Sequence, residues 1–307
     1  MQIDNRCVKR NKLLDRIFSW LFFAMAVLSA SFIVVIILFV FIKGISPFLP
    51  GYEYGQVDLL AFLTGTVYRQ DQGVYGVGFI VINTLIASFL ALLLSFPISV
   101  LTALFIAKIA PKHLASGMQS VVELLASVPS VVYGVFAAGV ITKLVDALAS
   151  AFGYVTYGGS SLLAVILLLA IMIFPTLTSM SITAIRAVSS DIEQASLALG
   201  ATKTQTNFKV VLTAAKSGIF AGAILGLGRA YGEATAVAMV AGNKLFGPTF
   251  NPFDITRTLT STMLVGLKET TGLDYDIRFS VGLVLIVVIF VSNAILNAVK
   301  KRIGNQV

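Results

Sequence analysis

Cysteine and histidine are almost absent: the 307 residues include one of each, Cys7 and His113. A single thiol excludes an internal disulfide framework, and one imidazole leaves no cluster from which to assemble a metal site. The same scarcity argues against an enzyme, because neither a nucleophile with its base nor a metal centre can be built from so few groups. Charge is also scarce. Asp, Glu, Lys and Arg make up 12% of the chain, against about 25% in an average soluble domain. No Gly-x-x-x-x-Gly-Lys-Ser/Thr loop is present, so the sequence offers no cradle of that kind for nucleotide phosphates.

What is abundant is apolar, at 57% of the residues. Such a chain cannot surround its own core with a polar shell, whereas a bilayer takes about 20 apolar residues per crossing helix. Long apolar windows fall at about 17–42, 76–107, 121–147, 161–185, 217–242 and 279–298. The expectation is an all-α integral membrane protein with six transmembrane helices. A basic segment (1–16) precedes one membrane domain (17–298), and a basic tail (299–307) follows it. The first window runs far beyond the roughly 7–15 apolar residues of a secretory signal, so it reads as an uncleaved helix. No linker, low-complexity tract or internal repeat divides the domain.

The net charge of +8 is spread over the ends of the apolar runs instead of forming one patch, which argues for membrane orientation and against nucleic acid. Alternate loops (1–16, 108–120, 186–216 and 299–307) carry fourteen Lys and Arg, and the other side carries seven. Positive charge is retained on the cytoplasmic side during insertion, which places both ends of the chain there.

Two charges fall well inside an apolar window, away from its ends: Arg229 and Glu233, four residues apart in the fifth span. A charge at the centre of a membrane helix costs at least about 2.5–3.5 kcal/mol on insertion scales and persists where it meets a partner or a water-filled path. On a continuous helix the spacing places both on one face. They read either as a mutually neutralising pair that holds helices in register or as part of an anion pathway. A guanidinium fork matches phosphate or carboxylate oxygens, and Glu233 can accept the proton of a protonated phosphate. In the same span Gly218, Gly222 and Gly226 line one face, a pattern that ordinary close helix packing explains.

Pro129 and Pro175 lie within apolar windows and read as kinks. Glu123, Lys143 and Asp146 sit near the ends of the third span, where interfacial solvation accounts for them. His113, next to Pro111 and Lys112, reads as a solvated loop residue.

The longest inner loop, about 187–216, carries Ser190 before Asp191 and Glu193, a helix start, and Gly200, a helix stop. Between them lie Ala195, Leu197, Ala198 and Leu199, a short, mildly apolar helix suited to docking a soluble partner.

The segment Gln194-Ala-Ser-Leu-Ala-Leu-Gly200-Ala-Thr202 resembles the Glu-Ala-Ala-x-x-x-Gly loop of ABC importer permeases, with Gln194 in place of Glu and Ser196 in place of Ala. Thr213 stands where that motif usually closes with Leu-Pro. Glu123-Leu-Leu-Ala-Ser-Val-Pro129-Ser-Val-Val-Tyr133-Gly134 and Gly228-Arg-Ala-Tyr-Gly-Glu233, continuing to Asn243, resemble the C-type permease of phosphate-specific ABC importers. Phe62-Leu-Thr-Gly65-Thr-Val-Tyr68 does too, with Tyr68 for a usual Trp.

The resemblance implies a type I ABC importer permease fold. It also implies a second, homologous permease of A type, two cytoplasmic ATPases that bind ATP and Mg, and an extracytoplasmic phosphate-binding protein. By the same resemblance Arg229 and Glu233 lie on the path of inorganic phosphate, and Gln194, Ala195, Ser196 and Gly200 belong to the ATPase-coupling loop. No cofactor is expected on this chain. Competing readings are a sulfate or molybdate importer and a secondary anion carrier that needs no ATPase.

Overall fold

The computed structural model describes residues 5–304, with side chains from Asp15 to Arg302; the side chains of Arg6, Cys7, Lys9, Arg10 and Lys12 are outside those described. Helices dominate. In chain order they are α1 (Asn5–Ile45), α2 (Leu59–Thr64), α3 (Gly78–Leu104), α4 (Lys112–Ser127), α5 (Ser130–Phe136), α6 (Thr142–Ala151) and α7 (Leu162–Arg186). They continue with α8 (Ser190–Ala198), α9 (Lys203–Gln205), α10 (Leu212–Gly232), α11 (Thr235–Val240), α12 (Leu259–Leu264) and α13 (Leu273–Gly304). One small hairpin joins β1 (Tyr68–Arg69) to β2 (Val74–Tyr75), antiparallel. Single π-helical turns continue α3 through Ile109, join α5 to α6, and join α9 to α10.

Among the described residues six helical stretches are long and apolar enough to cross a membrane: Asp15–Phe48, Gly78–Ile109, Ser130–Ala151, Leu162–Arg186, Lys203–Gly232 and Leu273–Arg302. The six expected spans are present, and their ends differ in instructive places. The third begins at Ser130, because Val128 and Pro129 take extended backbone and split the expected window. Proline lacks the N–H that would continue the ladder, so Pro129 divides two helices and does not kink one. The upstream piece, α4, is a separate amphipathic helix that carries Glu123, and the exposed His113 lies in its first turn. Pro175, by contrast, does lie within a continuous helix, and so does Pro97 of α3.

The bundle is built around α7. Its first half, residues 162–174, is apolar on all sides, as a helix enclosed by others must be, and the helix packs against α3 and α10. Leu168, Leu169, Met172, Ile173 and Leu177 are fully buried there. Gly218, Gly222 and Gly226 of α10 all face α7: a Cβ on them would meet Ala184 Cβ at 2.5 Å, Met180 Cβ at 2.9 Å and Ile173 Cγ2 at 2.7 Å. The expected close-packing face is therefore the α7 face. At the other extreme, α1 lies mainly along α13, and Phe22, Phe32, Ile36 and their neighbours remain uncovered, as lipid-facing side chains do.

Six crossings put the α3–α4 and α7–α10 connections at one end of the bundle, with α8 among them. The α1–α3, α6–α7 and α10–α13 connections lie at the opposite end. That opposite end has its own core of Phe62, Tyr68, Tyr75, Val77, Phe79, Leu259 and Ile277. The long α10–α13 connection is anchored to α3 there: Asn83 Oδ1 accepts from the Thr249 N–H at 2.7 Å, and Thr84 Oγ1 accepts from the Leu259 N–H at 3.0 Å.

Candidate functional site

The fifth span stops at Gly232, ten residues short of the end of the apolar window. Glycine loses the most conformational freedom in a helix and readily ends one. Glu233 follows in extended backbone (φ −78°, ψ 111°), and a new helix, α11, starts at Thr235. The expectation that Arg229 and Glu233 share a face of one continuous helix is therefore corrected: the helix ends between them.

Each then finds a different partner. Arg229, half-buried in the last turn of α10, donates from Nη1 to Thr176 Oγ1 at 3.0 Å. A cation at this position also complements the negative end of the helix dipole. Glu233 is buried, and its Oε1 accepts from the Ala236 N–H at 3.0 Å, so the carboxylate caps α11. Its carbonyl, left free by the helix end, accepts from the Thr260 hydroxyl at 2.8 Å. Ion pairs among the described residues are Lys43–Asp276, Arg69–Asp71, Lys108–Glu193 and Lys244–Asp254, and neither Arg229 nor Glu233 takes part in one. A mutually neutralising pair does not exist here. Arg229 is held by a neutral hydroxyl and keeps most of its donor fork unspent.

Beside the break lies a cavity of about 380 Å³, lined by Gly232, Ala234, Thr260, Met263, Tyr275 and Arg278 among others. Arg278 is 2% exposed and is spent on carbonyls, donating to Thr262 at 2.9 Å and also to Val265. It closes the C-terminal end of α12 and is a structural cation. Thr176 and Thr260 were not singled out from the sequence. An isolated threonine in an apolar run carries no spacing signal, and only the helix break explains why Thr260 is needed.

The loop after α7 folds as a short helix. Ser189, one residue before the expected start, caps α8 by accepting from the Asp191 N–H at 3.2 Å, and Gly200 ends the turn with φ +88°. Gln194 and Ala195 are exposed, and so are Ile192, Leu197 and Leu199, the last at 90%. Ser196 faces inward, its hydroxyl 2.9 Å from that of Thr206. The loop is shorter than 187–216, because a capping box at Thr202 and Gln205 starts the next helix and Thr213 lies inside it. Glu193 is paired with Lys108 at the end of α3, a tether not read from the sequence. The two are 85 residues apart, too far for any local pattern.

The sequence pattern of the binding-protein-dependent transport system inner membrane component family matches residues 99–305, which covers the helix break and the α8 loop. The chain belongs to this family. Its curated relatives include the probable ABC transporter permease protein YqgH of Bacillus subtilis, 33% identical, with 94% of this chain and 93% of that protein covered. The phosphate transport system permease protein PstC of Pasteurella multocida is 31% identical, covering 80% of this chain and 82% of that protein. Among solved structures, a bacterial alginate ABC transporter in complex with its pentasaccharide-bound periplasmic protein matches with a TM-score of 0.64 at 20% identity, over 94% of this chain and 96% of that one. The MetNI methionine ABC transporter in an inward-facing form matches at a TM-score of 0.55 and 19% identity, over 73% of this chain and 94% of that one. The fold of this family member is that of type I ABC importer permeases, and the chain is a multi-pass membrane transport component.

Proposed function

We propose that this chain is one permease half of an ATP-driven importer of inorganic phosphate in a bacterial or archaeal cell membrane. The observation that carries the reading is Arg229: a guanidinium inside a span, beside a helix break, with a hydroxyl for a partner and no carboxylate. Such a cation persists where it meets a partner or a water-filled path; unlike Arg278, Arg229 is not spent on carbonyls, and a tetrahedral oxyanion supplies acceptors matched to its fork. The relatives named as phosphate permeases support phosphate as that anion.

On this reading the α8 end is cytoplasmic, in keeping with the bias of Lys and Arg. A second, A-type permease completes the path, an extracytoplasmic binding protein delivers phosphate, and two ATPases bind ATP and Mg. Arg229 receives the anion. Glu233, fixed as the cap of α11, sets where the helix breaks and stands ready as an acceptor for a phosphate proton. The exposed Gln194, Ala195, Leu197 and Leu199, with the turn at Gly200, form the docking knob through which ATP binding and hydrolysis alternate the exposure of the path.

The test is uptake of labelled phosphate into proteoliposomes holding the chain with its partner subunits, with ATP and with excess sulfate or molybdate. ATP-dependent uptake that resists both competitors is expected. Uptake without ATPase subunits would make the protein a secondary carrier, and competition would move the assignment to the competing anion.

A further inference from the structure

The end of the bundle opposite α8 contains a group of buried donors that the path through Arg229 does not use. Arg257, between α11 and α12, is 7% exposed, and among the described residues its Nε and Nη1 have no hydrogen-bond partner. Its guanidinium carbon lies 5.0 Å from the ring centroid of Tyr68, whose own hydroxyl is buried without a partner. On the same strand and the turn after it, Arg69 Nε and Gln70 Nε2 are also buried and unpartnered. Gln70 Oε1 is 3.4 Å from Arg278 Nη2, which ties this group to the second buried guanidinium.

The local balance is one-sided. The unsatisfied groups named here can all donate, and the nearby carboxylates bond to other side chains: Asp274 Oδ1 accepts from the Tyr75 hydroxyl at 2.6 Å, and Asp276 serves Tyr52 and Lys43. Burial, with Arg278 nearby, pushes the Arg257 guanidinium below its usual range, and burial pushes the Tyr68 phenol up to about 12, so the phenol remains a donor at neutral pH. Unsatisfied buried donors are rare because each keeps the full cost of desolvation, and an unpaired buried cation is the costliest kind. What this group of donors lacks is a compact species with several acceptor oxygens and negative charge. Arg278, at its edge, also lines the cavity that reaches Gly232, next to Glu233.

We propose that Arg257, Tyr68 and Gln70 form a second oxyanion site, occupied by inorganic phosphate before it reaches Arg229. The proposal rests on the phosphate-importer reading for the identity of the anion. Two cationic stations in sequence let an incoming anion be held at the outer end and released inward toward Arg229. The Tyr68 ring beneath the guanidinium fixes the plane of the fork by cation–π contact and leaves its edge free to donate.

The experiment is equilibrium binding of [32P]phosphate to the nucleotide-free membrane complex in phosphatidylcholine nanodiscs, freed of its soluble binding protein. ATP-driven uptake by the native complex is measured alongside. In the Arg229→Ala complex one saturable phosphate site should remain, and adding Arg257→Gln should weaken it by about tenfold or more. Where Arg257→Gln fails to assemble, Tyr68→Phe decides, since it keeps the ring and removes only the hydroxyl; it should weaken the remaining site by about threefold or more. If Arg229→Ala abolishes all saturable binding, or if the assembled Arg257→Gln or the Tyr68→Phe variant leaves the remaining site unchanged, the second site does not exist. A native complex that takes up no phosphate would instead overturn the importer reading itself.

Discussion

Arg229 donates to Thr176 at 3.0 Å, and Thr176 directly follows Pro175, the one residue of α7 that cannot donate a helix hydrogen bond. The contact links the last turn of α10 to the point where the ladder of the central helix is interrupted. A permease must let one helix shift against another while keeping a charge solvated by protein, and a neutral hydroxyl releases the fork more readily than a carboxylate would.

Arg229→Ala should abolish uptake while the complex still assembles, because among the described residues no ion pair depends on this residue. Arg229→Lys should recover only part of the rate, since an ammonium retains charge and loses the planar fork. Uptake of labelled phosphate, with assembly checked by co-purification of the ATPase subunits, measures both. An unchanged rate in Arg229→Ala would remove the residue from the path.

Glu233 separates two roles that one carboxylate fills. Glu233→Gln keeps an oxygen that can accept from the Ala236 N–H, whereas Glu233→Ala removes the cap, at a cost of about 0.5–2 kcal/mol. The stability of Glu233→Gln should therefore stay close to native and that of Glu233→Ala should fall, as read by thermal unfolding in detergent. If phosphate protons are handled here, both should lose uptake; if Glu233 only shapes the break, Glu233→Gln should transport normally.

The glycine face of α10 gives a packing prediction with an internal control. A side chain at Gly226 meets Ile173 Cγ2 at 2.7 Å, while Gly228, two residues on, has nothing within 4 Å. Gly226→Leu should destabilise the fold by about 1–3 kcal/mol through overpacking. Gly228→Ala should be neutral or stabilising by about 0.5–1 kcal/mol, because alanine restricts the unfolded chain. The difference in thermal midpoints of the two variants checks it.

These residues also show what the chain order revealed. Glycines at 218, 222 and 226 announced a close face because helical spacing is a local property, and the structure identifies α7 as the neighbour. Six spans were legible from hydropathy for the same reason. The break at Glu233 was not, since residues 234–242 are as apolar as the helix before them and window averages cannot see a capping carboxylate. Pro129 was visible as a disruption, but whether it kinks or divides depends on α4 finding its own place against α7. The donors around Arg257 come from segments far apart in sequence, so no pattern brings them together before the chain folds.

The tether between Lys108 and Glu193 carries the last prediction. Lys108 ends the second span in a π-helical turn, and Glu193 lies one residue before Gln194 on the exposed helix α8. Both side chains are partly shielded, at 18% and 24% exposure, so the pair is less screened by salt than a free surface bridge. On the proposed reading, a displacement of α8 by a docked ATPase would be transmitted to the second span through this pair as well as through the chain itself. Lys108→Glu should lower the number of phosphates imported per ATP hydrolysed while ATPase activity persists, and the exchange Lys108→Glu with Glu193→Lys should restore it. Ala195→Arg, on the exposed face two residues from Glu193, should instead reduce stimulation of the ATPase, since it obstructs docking and leaves the tether intact. Measured together in proteoliposomes, these variants separate the docking surface from the lever behind it: a swap that fails to restore the ratio would confine coupling to the exposed face of α8.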